Sequence, residues 1–269
     1  MRGPHNIVRL VRTLATLERT GAIGVVLDAF NAPPRLRIVV RVLGWPFKFL
    51  GGLKGDPALP PATRALTALG PAYIKFGQIL STRPDVVGEE LAGQLKYLQD
   101  KLPPFPIAVA RRMIEAELET PVDAVFAALS EPVAAASIAQ VHRATLVEGG
   151  RDVAVKVLRP GIERAFRTDI DAFYLMASLV EALAPAARRL RPMEVIAHFE
   201  GVVTGELDLR LESAAAGEFA ANISEDAGFR VPTPVWHLSG RRVMTMDWAE
   251  GLPMADNAAI DAAGHDRRA

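Results

Sequence analysis

Lys156 closes the run Val153-Ala154-Val155-Lys156, where small and β-branched residues predict a strand. A lysine on the inward alternation of such a strand is costly unless a carboxylate meets it. Glu206, Asp208 and Glu212 follow on a helical stretch. A strand ammonium steadied by a helix carboxylate is a device for holding phosphate oxygens; taken alone, a surface lysine is the commoner explanation. Upstream, Ala134-Ala135-Ala136-Ser137 occupies the place where a phosphate-covering loop would carry glycines. Alanine resists positive φ, so this loop is expected to be stiffer than a glycine-rich one. A plain small-residue turn between helix and strand is the alternative.

Lys75 and Gln78 are three apart and share a helix face, with Gly77 leaving room for close approach. On one continuous helix Asp208 and Glu212 also share a face, while Glu206 lies about 200° round from Asp208. The two acids should therefore not meet one partner. The competing reading is a set of exposed helix charges making local ion pairs.

The elements needed to position these groups follow from pattern. A first helical segment ends at Pro33-Pro34, and Asp56-Pro57 with Pro60-Pro61 makes a second break. Leu66, Leu69, Tyr73, Phe76 and Leu80 predict one helix from Thr63 to Arg83-Pro84. Short helices are expected over 89–97, 107–118 and 122–129, with a Pro-rich linker at 102–106 between the first two. The strands 138–147 and 152–158 form a hairpin through Glu148-Gly149-Gly150-Arg151, and Arg159-Pro160-Gly161 ends the second. Helices follow from Ile162, with Pro185 disturbing the end, and over 193–221. Strands are expected at 229–238 and 242–248. The latter leads through Trp248-Ala249-Glu250-Gly251 into a hinge where backbone groups could bond an adenine. The expected divisions are 1–60, 61–130, 131–251 and 252–269.

Composition limits the chemistry. The 269 residues contain no cysteine, which excludes disulfides, thiolate metal sites and cysteine nucleophiles. Half the residues are apolar and 23% charged, which excludes general disorder. No dinucleotide Gly-x-Gly-x-x-Gly run occurs, and His5, His142, His198, His237 and His265 are scattered. The net charge is zero, so no nucleic-acid partner is expected. That zero hides an asymmetry: residues 1–50 carry +6 (eight Arg and Lys against Glu18 and Asp28) and the remainder −6. A basic, apolar arm is matched to an anionic lipid surface, or is an ordinary amphipathic helix with a solvated basic face. The most apolar stretch, Ile38 to Leu53, is broken by Arg41, Gly44, Pro46 and Lys48, so it does not read as a transmembrane helix. An Arg-rich, acid-poor start also leaves a mitochondrial transit peptide open.

A strand lysine with a helix glutamate is the nucleotide-positioning device of the protein-kinase small lobe, and four runs in order make the likeness narrower. They are Leu69-Gly70-Pro71-Ala72-Tyr73-Ile74-Lys75-Phe76-Gly77-Gln78 with Leu80 to Asp85; Ala134 to His142; Val153 to Gly161; and Glu206-Leu207-Asp208-Leu209-Arg210-Leu211-Glu212. From about residue 60 onward the chain resembles the UbiB/AarF family of atypical kinases, in its Lys-x-Gly-Gln signature, Ala-rich loop, nucleotide-lysine strand and Glu-x-Asp motif. The resemblance implies an α+β fold: a protein-kinase-like small lobe of mainly antiparallel sheet plus helices, with a helical N-terminal extension and without the large lobe.

It also implies roles. Lys156 resembles the nucleotide lysine and Glu212 its ion-pair partner. Ala134, Ala135, Ala136 and Ser137 resemble the nucleotide loop, with Glu250 at the hinge. Lys75 and Gln78 resemble residues lying across the active site, and Glu206 and Asp208 their small-lobe counterparts. The implied cofactor is ATP or ADP with Mg²⁺. The implied role is ATP-dependent kinase or ATPase support of ubiquinone biosynthesis, with membrane lipids, prenylated phenol or quinone intermediates and other proteins of that biosynthesis as partners. The implied location is the cytoplasmic face of a bacterial inner membrane, with mitochondria as the alternative. The family's His-x-Asp-x-His-Pro-Gly-Asn and Asp-Phe-Gly runs do not occur, so the chain reads as a fragment expected to lack phosphoryl transfer by itself. Two other functions stay open: the 2-polyprenylphenol 6-hydroxylase activity for which family members are named, and a non-catalytic lipid-binding scaffold.

Overall fold

The computed structural model describes residues 5–29, 34–49, 52–98, 103–183, 185–252, 254 and 256–264. Pro33, Leu102 at the start of the Pro-rich linker, Arg2 and the terminal 266–269 lie outside them. Two compact units are present: one of residues 1–105, 134–140 and 158–208, the other of 106–133, 141–157 and 209–269.

The first unit is helical. α1 (His5–Thr20) and α2 (Ala22–Ala29) are separated by Gly21, whose φ of +81° only glycine adopts without strain. α3 (Pro34–Gly44) runs into a 3₁₀ turn, Trp45–Phe49. α4 (Pro61–Leu69) and α5 (Pro71–Ser81) replace the single helix expected from Thr63. Gly70, at φ +118°, ends α4, and Pro71 starts α5 where its missing N–H costs nothing. α6 (Pro84–Val87) and α7 (Glu89–Leu95) follow. Ala62, Ile74, Val87, Leu91, Leu95 and Leu98 form one buried cluster. An aromatic chain links α5 to two later helices of this unit, named below: Tyr73 meets Phe173 edge-on at 4.7 Å, and Phe76 meets Phe199 at 5.2 Å.

The second unit begins with α8 (Ile107–Leu118) and α9 (Val122–Val125). The helix expected to run to Leu129 stops four residues short, because Phe126 turns extended and opens β1 (Phe126–Ala135). β2 (Ala139–Leu146) and β3 (Asp152–Leu158) follow the expected hairpin. α10 (Ile162–Leu183), a 3₁₀ turn at Pro185–Leu190 and α11 (Pro192–Glu206) then belong to the first unit, and α12 (Leu209–Asn222) to the second. The expected strand over 229–238 is instead irregular chain with a bridge from Pro234 to Met246 and a 3₁₀ turn at Trp236–Leu238. Two prolines, Pro232 and Pro234, deny this stretch ladder donors. β4 (Val243–Asp247) completes an antiparallel sheet of order β1-β2-β3-β4, and α13 (Asn257–Ala262) ends the described chain. The run entering the expected hinge is therefore β4. The fold is α+β, as the sequence implied.

Candidate functional site

Strand alternation places Lys156. Val153, Val155 and Val157 are fully buried on one face of β3, while Ala154 and Lys156 are half-buried on the other. β4 lies antiparallel alongside, with Met244 opposite Lys156. Glu212 projects from the first turn of α12, whose Leu209 is wholly buried and whose N–H donates to the Arg241 carbonyl at 2.9 Å. A carboxylate in a first helical turn also complements the helix dipole. Lys156 Nζ stands 2.7 Å from both carboxylate oxygens of Glu212. The lysine side chain is 28% exposed, so its ammonium is oriented by the glutamate yet reachable from solvent.

Glu206 and Asp208 do not continue that helix. α11 ends at Glu206, and Leu207 N–H donates back to the Val203 carbonyl, so Asp208 falls between α11 and α12. The shared helix face expected for Asp208 and Glu212 is therefore replaced by a break. Glu206, in the first unit, pairs with Lys75 of α5: Nζ is 2.7 Å from Oε1, and Oε2 is buried without a hydrogen bond. Nothing local in the sequence signals that pairing. Gln78 has a separate task, donating from Nε2 to the Leu98 carbonyl at 3.0 Å. Gly77 sits against the same residue; a Cβ there would lie 2.3 Å from Leu98 Cδ1 and 2.6 Å from Leu66 Cδ1.

Of the loop residues, Ala134 and Ala135 end β1, and Ala136 and Ser137 make the turn into β2. Ala136 N–H donates to the Ala139 carbonyl at 2.8 Å. All four have negative φ. Ala134 is exposed, whereas Ser137 is buried. Glu250 is exposed beyond β4 and lies 3.4 Å from Arg143, which holds Asp152 at 2.6 Å and covers the Trp248 ring. The Arg143 hydrogen bond, helped by one from Thr145, keeps the Asp152 carboxyl below the usual carboxylate range. His142 of β2 is wholly buried with Nδ1 2.8 Å from the Ser130 carbonyl, and burial pushes its pKa down.

The first unit also contains an apolar cavity of about 350 Å³, lined among others by Leu17, Val26, Tyr73, Phe76, Phe173 and Met176. Two of those residues share α5 with Lys75. Among the described residues no three His, Asp or Glu side chains converge to hold a metal. No helix among them is long and apolar enough to cross a membrane.

Residues 97–269 match the ABC1 atypical kinase-like domain. A Marinobacter nauticus protein named "Probable protein kinase UbiB" is 44% identical over 205 residues, covering 76% of this chain and 37% of its own length. A Xanthomonas campestris pv. campestris protein of the same name is 44% identical over 210 residues, covering 76% and 38% respectively. The chain thus spans less than two fifths of the curated relatives it matches. A solved complex of Rv3197 with erythromycin from Mycobacterium tuberculosis is 32% identical, covering 70% of this chain and 46% of that one with a TM-score of 0.48. With a domain match over well more than half its residues, the chain belongs to the ABC1 atypical kinase-like family.

Proposed function

We propose that this chain is the ATP-binding small-lobe part of a UbiB-type atypical kinase or ATPase that supports ubiquinone biosynthesis at a membrane surface. The Lys156–Glu212 pair carries the reading, because it offers one oriented, solvent-reachable ammonium on a sheet face to phosphate oxygens. Bound ATP supplies the phosphoryl group. Lys156 binds and orients it, and Glu212, 2.7 Å away, keeps the lysine aimed. Among the described residues no three His, Asp or Glu side chains converge where they would hold Mg²⁺.

The apolar cavity supports a prenylated phenol or quinone intermediate as the second ligand, since a hydrocarbon chain leaves water favourably for such walls. The basic, apolar N-terminal helices support contact with membrane lipid.

Titration of this chain with a fluorescent N-methylanthraniloyl ATP tests the nucleotide reading. Lys156→Ala should raise Kd about tenfold or more, as expected for a lost charge-assisted contact, and Glu212→Gln should raise it less. Equal affinity in wild type and Lys156→Ala overturns it.

A further inference from the structure

Glu212 can aim Lys156 only while α12 is held in place, and the hold on α12 is at its start. Of its fourteen residues only Leu209 and Ser213 are buried. A free helix of this length is marginal in water, so tertiary contacts set its position. The first N–H groups of a helix have no partner within it. Leu209 N–H donates instead to the Arg241 carbonyl, at 2.9 Å, in the turn that leads into β4. Farther along, Gly217 faces the Trp236 ring, which is itself more than half exposed.

Gly240 N–H closes that turn on the Val243 carbonyl at 2.7 Å, and α8 braces it. Glu117, in the last turn of α8, accepts the Arg242 N–H at Oε1, 3.2 Å away. The same oxygen lies against Gly240: a Cβ there would stand 2.3 Å from it and 2.9 Å from Glu117 Cγ. Gly240 has no positive φ, so the nearness of Glu117, not the backbone, calls for glycine. The Arg241 carbonyl and the Arg242 N–H belong to one planar, trans peptide group. Holding its N–H from α8 therefore fixes the direction of its carbonyl, which starts α12 with Glu212 in the first turn.

We infer that Glu117 is a positioning residue for the Lys156–Glu212 pair, acting through the 241–242 peptide, and that Gly240 is glycine to admit it. Without this hold the first turn of α12 shifts and Glu212 leaves Lys156. The consequence for nucleotide affinity rests on the nucleotide reading above, while the pair itself can be observed without nucleotide.

The test follows two signals in the full 269-residue chain. One is the ¹⁵N–¹H resonance of the Lys156 ammonium, assigned by its absence from Lys156→Ala; pairing with a carboxylate slows proton exchange, and release to water removes the signal. The other is the Kd of the same fluorescent ATP analogue. Glu117→Ala and Gly240→Ala should each lose the ammonium signal and raise Kd about fivefold, the scale of one lost hydrogen bond. Glu117→Gln keeps an acceptor oxygen at the same reach, so it should keep the signal and a Kd within about twofold of wild type. Arg111→Ala removes the Asp123 ion pair from the same helix and should lower the melting temperature while keeping both signals. If Gly240→Ala does not fold, the Glu117 variants carry the comparison. A folded Glu117→Ala that keeps the Lys156 signal overturns the inference, as does a Glu117→Gln or Arg111→Ala that loses it equally. Where Lys156→Ala weakens binding, a Glu117→Ala that binds as wild type overturns it too. If Lys156→Ala itself binds as wild type, the nucleotide reading falls, and the ammonium signal alone decides the role of Glu117.

Discussion

Glu212 and Lys156 show what a single residue reveals in sequence and what it does not. The alternation of β3 put Lys156 opposite three buried valines, and a half-buried ammonium needs a carboxylate. Glu212 met that need, at 2.7 Å. Lys75 was no less conspicuous, but its partner Glu206 belongs to a distant helix, and no spacing rule reaches that far. His142 illustrates a residue that reads as incidental among scattered histidines and has physical consequences in the fold. It is wholly buried on β2, and desolvation depresses its pKa against the opposing pull of the Ser130 carbonyl and the Glu131 charge. The unfolded chain therefore takes up a proton near the ordinary value of 6.5, while the folded chain resists it. Stability should be full above that value and fall as pH drops through it toward the lowered folded pKa. Melting temperatures between pH 8 and 5.5 should decline for the wild type and decline less for His142→Gln. Parallel slopes for the two proteins would remove His142 as the cause.

At the scale of elements, periodicity located the helices and missed their interruptions. Leu66 to Leu80 keep helical spacing across Gly70-Pro71, yet the chain breaks there because glycine takes φ +118° and proline suits a helix start. Pattern was equally blind to the break at Leu207-Asp208, where neither residue is a helix breaker. β1 was lost because Phe126-Ala127-Ala128-Leu129 favours helix locally, and it is pairing with β2 that makes it a strand. The Lys-x-Gly-Gln stretch of α5 shows why a motif can be legible while its work is not. Lys75 reaches Glu206, whereas Gly77 and Gln78 both serve Leu98, one by leaving room for its side chain and the other by bonding its carbonyl. Alanine at 77 gains about 1 kcal/mol of helix propensity, but its Cβ must displace two leucine ends in a packed region, at about 1–3 kcal/mol. We expect Gly77→Ala to lose about 1 kcal/mol net, read as a lower urea midpoint at unchanged slope. A midpoint equal to or above wild type would show that Leu98 does not need this space.

For the whole molecule, neutrality is a sum of opposites: +6 on the first fifty residues and −6 on the rest. Charge separated in this way orients a protein toward an anionic surface without raising its net charge. The described part of that arm adds an apolar component, since Ile38, Val42, Trp45 and Phe49 are each more than 60% exposed. Ile38 and Val42 are one turn apart on α3, and Trp45 and Phe49 meet edge-on at 5.4 Å in the 3₁₀ turn that follows. Arg35 and Arg41, also exposed, lie on the same helix. Cations beside exposed aromatic and branched side chains suit the headgroup boundary of a bilayer, where the rings enter the interface and the guanidinium groups meet phosphate. Each basic residue near an anionic membrane contributes about 1 kcal/mol, so Arg35→Gln with Arg41→Gln should weaken vesicle binding by roughly thirtyfold. Added salt should weaken the wild type more than the double variant, because screening acts on the charges that remain. Co-sedimentation with vesicles containing phosphatidylglycerol measures both effects, and vesicles of phosphatidylcholine alone should bind little. Equal binding to the two vesicle types, or a double variant that binds as wild type, would mean that the basic arm is a solvated helix face and that the lipid reading fails.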